Sequence, residues 1–160
     1  MSIINAYVAL RFAALLFFSL SPSARVPSYL IGEWSVGAPY DTPGPVGIDE
    51  NQLARIRSFH IKYANDSIQV CGKIVHIESV TSKKLTNNKF LRLYGFFPRI
   101  IGFNSSILTE FTVNSDDAFG ACGDFENPGF DVFVDDNHHV VIEVANGYFP
   151  LMRTSGRPFN

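Results

Sequence analysis

The sequence has 160 residues, 46% of them hydrophobic, and a formal net charge of −2. This length gives one domain with a core of its own, and the lack of a basic stripe interleaved with aromatic residues argues against a nucleic-acid-binding protein. Phenylalanine is abundant, with 15 Phe against one Trp, which favours an aromatic-rich β protein.

Residues 1–23 have the features of a secretory signal peptide. Arg11 precedes an unbroken apolar run over residues 12–18, and small residues with a proline follow. A basic start, a short apolar region and a small-residue exit are typical of such a signal; the alternative, a membrane anchor, needs a longer run to cross ~30 Å of hydrocarbon. We therefore expect a signal peptide at 1–23, one β-barrel domain at 24–153, a frayed tail at 154–160, and a secreted or periplasmic protein with no membrane span after cleavage.

The first half of the predicted domain contains a strand, a loop, a helix and a meander. We predict a short strand around Trp34, followed by a loop at 38–47 that is rich in proline and glycine. Asp49 and Gln52 form a capping-box pattern that starts a short helix. Residues 58–80 then alternate between apolar and polar side chains and are interrupted by turn residues, as the strands of an antiparallel meander are.

The second half returns to strands after one more helix. We predict this helix at 86–95, with Asn87 as its cap and Gly95 as its stop. Alternation resumes at 106–113, and strands follow at 130–134, 140–145 and 148–153, the last two joined by the hairpin dipeptide Asn146-Gly147. The pattern as a whole predicts a mainly β fold, with about eight antiparallel strands in an up-and-down barrel and two short inserted helices.

The chain has two cysteines, Cys71 and Cys122. An even pair in an exported protein usually forms a disulfide, and this one would tie the meander to the loop before Phe130. The alternative is a redox pair, although the usual Cys-x-x-Cys spacing is missing.

Gly32-Glu33-Trp34 opens the first predicted strand. This Gly-x-Trp motif, at the start of a small exported β-barrel, resembles the motif that opens lipocalins and related calycins. In that family the Trp closes the floor of the barrel and an Arg late in the chain packs on it. The resemblance implies a lipocalin-like floor made of Gly32, Trp34 and Arg153, with a cation–π contact between the last two. The alternative is that Trp34 is an ordinary core aromatic.

Apolar residues between the second helix and the next strand are the candidates for a ligand site. We predict that they line or close the mouth of the barrel; the candidates are Phe96, Phe97, Ile100, Ile101 and Phe103. The leading hypothesis is therefore an exported lipocalin-like protein that binds a small apolar or amphipathic ligand in its barrel. The alternative is that these side chains complete a solid core.

The distribution of charge suggests a second hypothesis. Residues 100–152 contain nine acidic residues and no Lys or Arg. Residues 53–99, in contrast, contain nine basic residues and only two acidic ones. An acidic face, with Asp135 and Asp136 as its candidates, would steer a basic protein partner, which would make the chain a protein-binding module or an inhibitor. The alternative is that the two halves neutralise each other in the folded sheet.

No established catalytic motif is present, such as Gly-x-Ser-x-Gly, His-Glu-x-x-His or a phosphate-binding glycine loop. Glu33 and Glu143 would make a paired-carboxylate site only if both faced the barrel interior. A metal site from Asp135, Asp136 and His138 would need three ligands from one tight turn to point at one ion. We therefore expect neither a metal nor another cofactor, and an enzyme is the less favoured class.

Overall fold

The structure is a computed structural model that describes residues 25–43, 47–116, 122–123, 125 and 127–155. The predicted signal peptide at 1–23 lies outside the described residues. Of the predicted tail, residues 154 and 155 belong to the last strand, and residues 156–160 lie outside the described residues.

Nine antiparallel strands form one continuous sheet that curls into a half-barrel. The strands are β1 (Gly32–Val36), β2 (His60–Tyr63), β3 (Ser67–Val70), β4 (Lys73–His76), β5 (Ser79–Thr86), β6 (Ile107–Asn114), β7 (Asp131–Val134), β8 (Val140–Val144) and β9 (Gly147–Ser155). Their order is β4-β3-β2-β1-β9-β8-β7-β6-β5, so the first strand pairs with the last and the sheet is open between β4 and β5. The predicted mainly β, up-and-down architecture is confirmed.

Two short helices and a 3₁₀ turn accompany the sheet: α1 (Glu50–Arg57), α2 (Asn87–Tyr94) and the turn Pro98–Ile101. Helix α1 starts with the predicted capping box between Asp49 and Gln52. The cap predicted for α2 was wrong by one residue, because the hydroxyl of Thr86 accepts the backbone N–H of Lys89. In the described parts of the chain, no helix is long and apolar enough to cross a membrane.

Strand β5 is the element that the sequence pattern missed. The sequence pattern predicts one strand over residues 74–80. In the structure, β4 ends at His76 and a separate strand runs from Ser79 to Thr86. Its four central residues, 81–84, are all exposed, whichever face they point to. An edge strand that is solvated on both faces shows no alternation, and the charged pair Lys83-Lys84 discourages further strand pairing there.

The hairpin between β8 and β9 lies one residue earlier than the dipeptide Asn146-Gly147 indicates. The two residues with positive φ are Ala145 and Asn146, and Gly147 already pairs with Val144. Gly147 is required by packing, because a Cβ there would lie 2.9 Å from the side chains of Ile48 and Phe149. The turn therefore uses Asn for its backbone geometry and Gly for its close approach to the core.

The sheet buries an apolar cluster on each of its two faces. The concave cluster takes inward side chains from all the strands except β5, whose Val80 packs against its rim, and it includes Trp34, Ile61, Val132, Ile142 and Phe149. The convex cluster forms where α2 and the 3₁₀ turn cover the outer face; its members are Leu85, Phe90, Phe96, Ile101, Phe103, Leu108, Phe133, Val141 and Tyr148. Residues 132–134 of β7 and 140–142 of β8 are thus buried on both sides of the sheet, which explains their consecutive apolar side chains.

Cys71 and Cys122 form the predicted disulfide. Cys71 sits with Gly72 in the turn between β3 and β4, where both residues have positive φ. The bridge links this turn to the segment before β7 across a sequence separation of 51 residues. It therefore restrains a segment that has only an isolated bridge, between Cys122 and Phe125, as regular structure among its described residues.

We expect the double variant Cys71→Ser/Cys122→Ser to be less stable by about 2–4 kcal/mol, because the unfolded chain regains the entropy of a long loop. This corresponds to a loss of roughly 10 °C in Tm for a domain of this size. Thermal unfolding of the variant, compared with the wild type under non-reducing conditions, measures the effect. Two free thiols in non-reduced, denatured wild-type protein would contradict the pairing.

Candidate functional site

Trp34 and Arg153 are direct neighbours on the paired strands β1 and β9. The guanidinium carbon of Arg153 lies 4.6 Å from the centroid of the Trp34 ring, within cation–π range. The buried indole N–H donates to the carbonyl of Leu30 at 2.7 Å, and Arg153 donates to the carbonyl of Tyr29. The hydrogen bonds from Trp34 and Arg153 therefore fix the position of the chain segment before β1.

Gly32 has a structural reason to be glycine. Its φ is +134°, a region that side chains disfavour, and a Cβ there would lie 3.0 Å from Nη1 of Arg153. The register between β1 and β9 also shifts beside it, between Glu33 and Trp34. The Gly-x-Trp spacing thus leaves room for the arginine above the indole ring, and this packing needs no family membership to explain it.

The five ligand-mouth candidates lie on the convex side of the sheet. Phe96, Ile101 and Phe103 are buried in the convex cluster, Ile100 packs against it, and Phe97 is exposed. They reach this side because α2 starts directly after β5 and its Phe90 packs on the outward side chain of Phe133, with ring centroids 5.7 Å apart. The consecutive apolar residues 132–134 of β7 and 140–142 of β8 were the signal that the outer face needs a cover.

The two acidic-face candidates differ in exposure. Asp135 is only 8% exposed, and its Oδ1 accepts the backbone N–H groups of Asn137 at 2.9 Å and His139 at 3.0 Å. Its carboxylate is therefore engaged in shaping the β7–β8 turn, while Asp136 is exposed. Across the described residues, no three His, Cys, Asp or Glu side chains are grouped so that they could hold a metal ion.

A cleft of about 480 Å³ lies beside the disulfide, where α1 ends and β2 begins. We call it the disulfide cleft; its lining residues are Arg55, Ser58, Phe59, His60, Cys71, Gly72 and Cys122. A smaller cleft of about 290 Å³ shares His60 and Gly72 with it and continues along the outer faces of β1 to β3. No sequence motif indicated this site, because its residues come from three separate parts of the chain.

The wall of the disulfide cleft is held by contacts between distant segments. The guanidinium of Arg55 stacks 5.0 Å from the centroid of Phe125 and donates to the carbonyl of Cys122 at 3.3 Å. Phe59 meets Phe125 edge to face at 5.6 Å. Cys122 and Phe125 belong to the segment that the disulfide restrains. The cleft has an apolar wall, with the guanidinium of Arg55 and the imidazole of His60 at its rim.

A second cluster of polar side chains lies on the convex face. Glu110 accepts from Lys83 and from the hydroxyl of Tyr94, each at 2.9 Å. Burial raises the pKa of Glu143, and the nearby Asp131 raises it further, while a hydrogen bond from Tyr148 opposes this. The acidic and basic halves of the sequence therefore meet at the ion pair between Lys83 and Glu110. The carboxylates of Asp131 and Glu143 repel each other.

Comparison with known proteins identifies no relative. No family model matches the sequence, and neither a curated protein nor a solved structure is significantly similar to it. The arguments about function therefore rest on the geometry of this chain alone.

We expect Gly32→Ala to lower the free energy of unfolding by about 1–3 kcal/mol, because the new Cβ is strained in its backbone conformation and approaches Arg153. The matched control is Gly72→Ala, which also has a positive φ but no atom within 4 Å of its Cβ. Urea unfolding of both variants separates strain from contact. A partial rescue of Gly32→Ala by Arg153→Met is expected, and equal losses for both glycines without rescue would contradict this account.

We expect Glu143→Gln to be more stable than the wild type at pH 7, by roughly 0.5 kcal/mol after allowance for solvent screening. The folded-state pKa of Glu143 is raised, so ionisation opposes folding above that pKa and the cost disappears below the ordinary carboxyl range. The gain should therefore vanish as pH falls to about 4. Thermal unfolding between pH 4 and 8 tests this, with Asp136→Asn, at an exposed carboxylate, as the control. A stability gain that persists at low pH would show that ionisation of Glu143 is not its cause.

Proposed function

We propose that this chain is an exported binding protein that holds a small amphipathic ligand, with one anionic group, in the disulfide cleft. The observation that carries the proposal is the composition of that cleft, where Phe59 and the disulfide supply apolar surface beside the guanidinium of Arg55 and the imidazole of His60. A guanidinium donates several hydrogen bonds to a carboxylate, sulfonate or phosphate. Export is supported by the signal-like residues 1–23 and by the disulfide.

The concave side of the sheet offers less room than this cleft. Its side chains pack against one another in one continuous buried cluster, with Ile61, Ile68, Val132 and Phe149 fully buried. A ligand there would have to displace core side chains, at a cost of several kcal/mol. We therefore assign the ligand to the end of the half-barrel rather than to its centre, and keep the lipocalin-like architecture, with its Gly32, Trp34 and Arg153 unit, as part of the proposal.

The disulfide gives the cleft a defined shape. Cys71 and Cys122 both line it, and their bond fixes the turn between β3 and β4 relative to the segment that carries Phe125. A binding site held in this way loses less entropy when the ligand enters. Reduction should therefore weaken binding at temperatures where the sheet is still folded.

The test uses two fluorescent probes of similar shape, anilinonaphthalene sulfonate, which is anionic, and N-phenylnaphthylamine, which is uncharged. We expect Arg55→Gln, which also loses the contact with Phe125, to weaken binding of the anionic probe about tenfold more than binding of the uncharged probe, because one charge-assisted hydrogen bond is worth roughly 1.5–3 kcal/mol. The matched control is Arg57→Gln, which removes an exposed arginine from the same helix outside the cleft.

Fluorescence titration of the full chain and the two variants decides the proposal. Equal loss in both arginine variants would indicate a general charge effect, and an unchanged affinity in Arg55→Gln would remove the cleft from consideration. Failure of the wild type to bind either probe would refute the proposed function. Melting temperatures of the variants establish that each one is folded.

A further inference from the structure

A stretch of the chain that the ligand proposal does not use is strongly basic. Residues 83–99 contain no acidic residue and five basic ones, namely Lys83, Lys84, Lys89, Arg92 and Arg99. Lys83 is paired with Glu110. Lys89, Arg92 and Arg99 are exposed and form no ion pair within the described part of the chain. These three exposed cations are therefore available to an anionic partner from outside the chain.

Helix α2 presents its cations away from the sheet. Phe90 is fully buried and Tyr94 is half-buried, so these residues, four apart, mark the side that packs on the sheet. At 100° per residue, Arg92 points directly away from this side, Lys89 lies about 120° from its centre, and Leu93 lies about 80° from it, on the flank of the helix. Leu93 is 54% exposed, whereas Phe90 of the same helix is fully buried.

Two more exposed residues follow α2. Phe97 is 38% exposed, and the guanidinium of Arg99 lies 5.4 Å from the centroid of its ring. The chain between Leu93 and Phe97 is short, and it turns at Gly95, the C-cap of α2. Within eleven residues the chain thus exposes two apolar side chains and three cations, which we call the basic-apolar surface: Lys89, Arg92, Leu93, Phe97 and Arg99.

We propose that the basic-apolar surface docks on the face of an anionic lipid bilayer. Exposed apolar side chains can enter the headgroup region of a bilayer while neighbouring Lys and Arg side chains contact the lipid phosphates. Helix α2 is held to the sheet by Phe90, which contacts the rings of Tyr94, Phe96 and Phe133. The surface is therefore presented without an ordering cost.

A nucleic acid fits the same charges less well. Binding of single strands needs open aromatic faces for base stacking, but Arg99 lies over the ring of Phe97. A duplex would use the cations and leave Leu93 and Phe97 without a role. Dependence on both apolar side chains and cations together is what distinguishes a lipid surface.

The experiment is co-sedimentation of the full chain with vesicles of phosphatidylcholine alone and of phosphatidylcholine with 30% phosphatidylglycerol. We expect binding that is at least tenfold tighter to the anionic vesicles. Leu93→Ser/Phe97→Ser and Arg92→Gln/Arg99→Gln should each weaken it about tenfold or more. Every variant carries the same signal-like residues 1–23, so differences between variants report on the basic-apolar surface itself.

The matched control is Lys73→Gln/Ile74→Ser on β4, which removes a cation and an apolar side chain that is 65% exposed elsewhere on the protein. It should bind as the wild type does. Equal binding to both kinds of vesicle, or no effect of either double variant, would overturn the proposal. So would salt-dependent binding to duplex DNA that loses affinity with the arginine variant while vesicle binding stays unchanged. Circular dichroism confirms that the variants are folded.

Discussion

The pairing of the first strand with the last is the interaction on which the remaining structure depends. Strands β1 and β9 join a group of four consecutive strands to a group of five, and without this pair the sheet would be two separate meanders. At the joint, Arg153 covers Trp34, while Gly32 leaves the space that the guanidinium occupies. Because these contacts link residues more than a hundred positions apart, they also impose a high cost of chain closure that the two buried clusters must offset.

Each face of the sheet carries one buried apolar cluster. Side chains on the concave face pack against one another in one buried cluster. Helix α2 and the 3₁₀ turn supply the cover that the convex face of β7 and β8 lacks. The disulfide cleft lies at the rim of the sheet and the basic-apolar surface on its outer side, so the two proposed sites are on different elements.

The charge pattern has different consequences at different places. Where Lys83 of β5 faces Glu110 of β6, the basic and acidic halves of the sequence neutralise each other across a strand pair. Asp135 serves the geometry of a turn, and Glu143 is held beside Asp131 at some cost in stability. The cations of α2 have no such counterpart among the described residues, which is why they mark an outward-facing surface rather than part of the sheet.

The sequence by itself determined the β class, the positions of both helices, the hairpins and the disulfide, because each follows from local patterning, turn residues or the simple pairing of two cysteines. It did not reveal β5, whose residues are solvated on both faces, or the side of the sheet to which Phe96 and Phe103 would turn. Only the tertiary structure placed Arg55, Phe125 and the disulfide around one cleft and showed that the carboxylate of Asp135 is buried inside its turn. These placements depend on which distant segments meet, and periodicity along the chain carries no information about that.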